Sequence, residues 1–329
     1  METRSEGRKG ILLRLGTAFL WAACLLTVTV GAAGQTAPTL LIYGFQALPG
    51  FHPPQLWAEI GKALSGRGPS EAETIWLDAW HRLYRLPALD STWRDVFISD
   101  YAVPYEPTVR DLRYYAARLD EELEWIERSE GVPTVDLVAF SLGALVARCY
   151  IESADFDTAL DRAGFEDYGT VFREDVETLI TIAAPHHGAQ FAAIGPWFGP
   201  LPQQLDPASD FLATLNAGEE TKATGIRSDV RYVSLAGQSC FGYGCSIRKD
   251  VVGCRRMCVE EGLGWAGHDL VVLMSSAFLS GATNIACIGM DHISMRTHPA
   301  IAEAVVGLLK GDDVGDVIYG SLDLERAAP

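Results

Sequence analysis

The stretch VDLVAFSLGAL, residues 135–145, constrains the fold more than any other part of the chain. Val135, Leu137, Val138 and Phe140 form a short apolar run of strand type, and such a run suits a strand buried on both faces. It stops at Ser141, after which Leu142, Leu145, Val146 and Cys149 fall on one face of a helix. A strand that becomes a helix within one residue leaves little space for side chains. Ala139 and Gly143, two positions either side of Ser141, meet that requirement. The turn lifts the serine hydroxyl above the sheet and aims the Leu142 N–H, at the start of a helix, toward the same place. A developing oxyanion would be stabilised there.

The remaining apolar runs repeat this alternation. Residues 39–43, 95–101, 177–185, 230–237 and 283–289 read as further strands. Between residues 107 and 128, Val109, Leu112, Ala116, Leu119, Leu123 and Ile126 recur at helical spacing, and residues 298–309 form a closing helix with Pro299 in its first turn. Doubly apolar strands alternating with amphipathic helices predict an α/β fold, a mostly parallel sheet with helices on both faces. Residues 153–175 and 189–228 fit the alternation poorly and are candidate lid segments. The region holding WAEIGKAL and ETIWLDAWHRLYRL mixes helical and strand signals.

The N-terminus is a separate object. Arg4, Arg8, Lys9 and Arg14 precede an uncharged run over residues 15–30 and then GAAGQTAP, the layout of a secretory signal cleaved after Ala33 or Gly34. An uncleaved membrane anchor is the alternative. Residues 34–329 then form a single domain. An exported chain favours disulfides, and Cys240, Cys245, Cys254 and Cys258 crowd into residues 238–264; their C-x4-C and C-x3-C spacings do not suit a zinc knuckle. Four cysteines allow three pairings. Cys149 and Cys287 sit in apolar segments and read as buried thiols. With 26 basic and 43 acidic side chains, the net charge of −17 argues against nucleic acid and anionic membranes as partners.

A serine hydroxyl is a weak nucleophile until a base takes its proton. Among seven histidines, His292 is best placed, in a loop after the strand at 283–289 and before the final helix. His298 sits at the start of that helix, and His52 and His81 precede the serine in the mixed region. The adjacent His186 and His187 diverge too far to share one ion and read as structural. The base needs an orienting carboxylate, and Asp269 lies between the last two strand runs. Asp291 is too near His292 in sequence, and Asp250 is a second candidate within the cysteine-rich insert. The chain order Ser141, Asp269, His292 and the pattern A-x-S-x-G, one residue from G-x-S-x-G, are those of the nucleophile-elbow hydrolases.

From residue 39 to residue 309 the chain resembles the α/β-hydrolases of the bacterial secreted lipase and esterase group. LLIYGF is similar to the oxyanion strand, LVAFSLGALVARCYI to the elbow and its helix, and ITIAAPHHGAQFA to the Pro-His-His-Gly segment. QLDPASDFLATLN, HDLVVLMSSA and DHISMRTHPAIAEAVVGLL match, in order, the stretch after the lid, the acid loop, and the histidine loop with its helix. The resemblance implies backbone N–H donors at Phe45 and Leu142. Tyr43 stands where the family usually has histidine, Phe140 replaces the elbow histidine, Ala144 a glycine, and Leu270 the glycine after the acid.

The expectation is an exported serine hydrolase of lipidic or small carboxylic esters, needing no metal or organic cofactor. Calcium occurs in some related lipases, but no calcium ligand set stands out in this sequence. An acyltransferase or thioesterase would use the same residues and differ in acceptor or leaving group. A silent binding module predicts a lost triad residue, and none is lost.

Overall fold

The computed structural model describes residues 37–44, 52–78, 81–100, 112–152, 170–189, 201–221, 226–239, 267–269 and 271–319. The N-terminal segment, the four clustered cysteines with Asp250, Phe45, Leu270 and part of each candidate lid segment lie outside them.

The expected apolar runs become β1 (Thr39–Ile42), β4 (Val96–Ser99), β5 (Val135–Phe140), β6 (Val176–Ile182), β7 (Arg231–Gln238) and β8 (Thr283–Ile288). The mixed region resolves into helix α1 (Ala58–Ser65) followed by β2 (Glu73–Trp76) and β3 (Arg82–Leu86). A short β9 (Val317–Tyr319) closes the far edge. The sheet order is β2-β3-β4-β1-β5-β6-β7-β8-β9. From β4 to β9 every pairing is parallel, while β2–β3 and β3–β4 are antiparallel. This is the α/β-hydrolase arrangement, with an antiparallel edge on a parallel sheet.

Helices cover both faces. On one side lie α2 (Leu112–Glu130), α3 (Leu142–Ile151) and α4 (Asp210–Thr221). Leu112, Tyr115, Ala116, Leu119, Leu123 and Ile126 of α2 are buried with Leu137 of β5 and Leu179 of β6. In α4, Phe211, Leu212 and Leu215 enter the same core, so this part of 189–228 packs on the body of the domain. On the other side α1 meets α5 (Pro299–Lys310), where Ile60, Leu64, Ile301, Val305 and Leu308 pack beneath Leu41, Val138 and Leu235. Leu137 is fully buried; truncating it to alanine would cost about 2–5 kcal/mol.

Local signals explain the helix ends. Pro299 opens α5, the His298 side chain caps it by accepting the Ala300 N–H at 3.2 Å, and Gly311 ends it at φ 82°. An L side chain is strained at that angle, and glycine is not. At the sheet's N-terminal end, Asp136 of β5 is buried by its place in the strand and is neutralised by Arg94 at 2.5 Å. Cys149 and Cys287 are both buried, as expected, and burial pushes the Cys287 thiol up. Among the described residues, no helix is long and apolar enough to cross a membrane.

Candidate active site

The C-terminal ends of β5, β7 and β8 deliver the three residues singled out in the sequence. Ser141 follows β5 directly and adopts φ 54°, ψ −126°, a backbone conformation uncommon for a residue with a side chain. It is held there by its own N–H, which donates to the Ile182 carbonyl at 2.8 Å, and by the α3 turn, in which Ala144 N–H donates to the Ser141 carbonyl at 3.1 Å. Gly143 fits the role expected of a small neighbour. A Cβ on Gly143 would sit 2.6 Å from the Tyr43 carbonyl oxygen, so α3 approaches the exit of β1 at backbone distance. A Cβ on Gly44 would sit 2.9 Å from the Leu142 nitrogen and 2.9 Å from the Ser141 Cβ. Glycine at 44 therefore keeps the Leu142 N–H uncrowded.

His292 sits in the loop after β8. Its Nε2 lies 3.0 Å from Ser141 Oγ and its Nδ1 2.7 Å from Asp269 Oδ2. An ionised carboxylate can only accept, so Nδ1–H donates to it, and in the neutral ring Nε2 is left to accept from the serine hydroxyl. Asp269 is almost fully buried, and its other oxygen accepts the N–H groups of Val271 at 2.9 Å and Val272 at 2.6 Å. The two loops are tied by backbone as well, since His292 N–H donates to the Asp269 carbonyl at 2.8 Å. Close approach at this point depends on Gly237 at the end of β7, where a Cβ would lie 2.9 Å from that of Asp269 and 2.8 Å from Met295 Cγ.

Asp291, set aside in the sequence, accepts the N–H groups of Ile293 and Ser294 and starts the helical turn Ser294–Thr297. Of the histidine pair, His186 is fully buried; burial and the nearby Arg148 charge hold it well below its usual range, and its Nε2 meets Thr181 Oγ1 at 3.1 Å. His187 Nδ1–H donates to the Ser276 carbonyl at 3.2 Å. Both are tied into the β6 exit loop. His81 is buried against Glu122 of α2.

Among the described residues, Asp78, His81 and Glu121 have donor atoms close enough to hold a metal ion. The Arg118 guanidinium already reaches both carboxylates there, at 3.0 Å and 2.7 Å.

Two residues near the site carried no role in the sequence reading. From the sequence, Gly237 marks only the end of a strand. Arg296 is buried, with its guanidinium carbon 4.9 Å from the Tyr43 ring centroid and 5.4 Å from that of Phe140. The available signal is an arginine in SMRTHP, four residues after His292, on a turn otherwise leading into an apolar helix.

The family Lipase (class 2) matches residues 122–256, which include Ser141 and end before Asp269 and His292. Among solved structures, the chain is similar to the Bacillus licheniformis lipase BlEst2 in mature form, at 19% identity and a TM-score of 0.51, covering 84% of this chain and 92% of that one. The same lipase in propeptide form gives 19% identity and a TM-score of 0.50 over 84% and 50% of the two chains. No curated protein gives a match. The shared architecture thus bears out the α/β-hydrolase fold expected from the sequence, and the matched segment is similar to the class 2 lipases.

Proposed function

We propose that the protein is a serine hydrolase that cleaves carboxylic esters, acting on lipidic acyl esters through an acyl-enzyme. The observation that carries this reading is the unbroken relay from Ser141 Oγ through the His292 ring to Asp269, at 3.0 Å and 2.7 Å. As Oγ bonds to the ester carbonyl carbon, His292 Nε2 takes the hydroxyl proton. Asp269 holds the ring in the needed tautomer and stabilises its positive charge. The carbonyl oxygen gains a negative charge that the Leu142 and Phe45 N–H groups receive. His292 then returns the proton to the leaving alcohol as the C–O bond breaks. Water repeats the sequence on the acyl-enzyme, freeing the acid and restoring the serine proton. No metal or organic cofactor enters these steps.

The lipidic part of the reading draws on the class 2 lipase match and on the lipase named among the similar structures. The protein is exported, directed by residues 1–33, and its four clustered cysteines form two disulfides in the segment that precedes Asp269 in the chain. A panel of p-nitrophenyl esters of rising chain length, with and without a lipid interface, tests the activity. Turnover favouring longer acyl chains supports the proposal, and no hydrolysis of any ester refutes it. N-terminal sequencing and thiol counting of the secreted protein test export and pairing.

A further inference from the structure

Arg296 presents an arrangement that packing alone does not require. The residue is 6% exposed, yet its Nε and Nη1 atoms are buried without a hydrogen-bond partner. Leaving two nitrogens of a buried cationic group without such partners is costly, so the retention of arginine here calls for an explanation. What the guanidinium does touch is two aromatic faces, Tyr43 and Phe140, which stack with ring centroids 5.7 Å apart at an interplanar angle of 28°. Attraction between a cation and a ring face is strongest where water is excluded.

Both rings sit one residue before a reacting element. Tyr43 precedes Gly44, where an added Cβ would lie 2.9 Å from the Leu142 nitrogen and from the Ser141 Cβ. Phe140 precedes Ser141, and its ring lies 4.9 Å from the His292 ring. Arg296 itself follows His292 by four residues, on the turn that Asp291 caps. One guanidinium therefore links the exit of β1, the exit of β5 and the loop that carries the base.

We infer, building on the hydrolase reading above, that Arg296 is a positioning residue: by spanning Tyr43 and Phe140 it fixes the separation of Ser141, His292 and the Leu142 N–H. Lysine keeps the charge but lacks the planar face that covers two rings, so it cannot replace arginine here. Displacement of reacting groups by a fraction of an ångström lowers turnover more than substrate affinity.

The experiment is a kinetic comparison of wild-type protein with Arg296→Ala, Arg296→Met and Arg296→Lys on one soluble ester. Circular dichroism and Tm are recorded for each, and the rate of Ser141 labelling by a fluorophosphonate is measured. The expected result is a kcat lowered about 10- to 100-fold in all three, with KM within about twofold and labelling slowed in parallel. Guanidinium at sub-denaturing concentration should partly restore Arg296→Ala, by re-entering the gap between ring faces and protein, whereas a generally weakened fold would lose activity further. Should Arg296→Ala fail to fold, Arg296→Met, which keeps the apolar volume, carries the same test. Folded Ala or Met variants with kcat within about twofold of wild type, or with only KM changed, overturn the inference. So does Arg296→Lys at full activity. Wild-type protein that neither hydrolyses esters nor takes the phosphonate overturns the hydrolase reading, and this inference with it.

Discussion

Among the described residues, two serine–histidine–carboxylate groups can be compared, and one of them is built as a relay. At the sheet's C-terminal end, the His292 ring stands between serine and acid, with Ser141 on Nε2 and Asp269 on Nδ1. Beside the antiparallel edge, His81 Nε2 meets Glu122 Oε1 at 2.8 Å, and Ser99 Oγ donates to that same oxygen at 2.9 Å. There the carboxylate stands in the middle, so the imidazole cannot take the serine proton. Access differs too. Ser99, His81 and Glu122 are all buried, whereas Ser141 and His292 are partly exposed. The acids are held differently as well: Asp269 has two backbone N–H donors on its second oxygen, while Glu122 Oε2 has no partner and burial pushes its carboxyl up. A short His–carboxylate distance is common to both, so it does not by itself mark a catalytic site. Sequence of contacts and exposure do.

Exchanging the serines should break the comparison most visibly. Ser141→Ala is expected to lower turnover on the order of a thousandfold or more while leaving the fold intact. Ser99→Ala should leave kcat within about twofold and instead cost about 1–3 kcal/mol of stability, read from the denaturant midpoint, because Glu122 loses a donor. The acids give the next contrast. Asp269→Asn should reduce kcat by roughly two to four orders of magnitude, since the ring loses the partner that sets its tautomer. Glu122→Gln should move Tm and spare kcat. Equal kinetic effects at the two acids would erase the distinction.

The cysteine-rich insert sharpens the same contrast, because it precedes Asp269 in the chain and has no counterpart at the other group. If its four cysteines form two bridges, mild reductant should lower esterase activity before the far-UV circular dichroism changes. Loss of both together would show that the insert does not specifically support the acid loop.

The smallest effect concerns burial of carboxylates on α2. Burial, helped by the neighbouring Asp175 carboxylate, pushes Glu127 up to about 7. Between its ordinary value and that one, the folded protein holds a proton that the unfolded chain releases, so stability falls as pH rises through this window. Glu127→Gln should therefore stabilise modestly at pH 8 and change little at pH 5, as measured by Tm. The side chain remains partly exposed, which keeps the effect small.

Reading the fold from sequence worked where burial on both faces wrote a continuous apolar run, as in β5, β6 and β8. It failed at β2, whose residues are mostly exposed, and at β3, where Arg82 and Arg85 interrupt the pattern. At three residues, β9 is too short to leave a period. Ser141, His292 and Asp269 were legible because each follows or precedes a recognisable strand and their order is diagnostic. Glu122 was not, since a glutamate on a charged helix reads as solvated until the partner across the core is seen. Arg296 was hidden for a similar reason, because nothing local reveals that two rings from distant strands converge on it.

The central claim is that Ser141, and no other serine, carries the acyl group. Incubation with a fluorophosphonate followed by peptide mass mapping tests it directly, with the His292→Ala variant alongside. The account predicts a single adduct on Ser141 that tracks the loss of ester hydrolysis and forms far more slowly in the variant. An adduct on another residue, or ester hydrolysis that persists after Ser141 is fully modified, would contradict it.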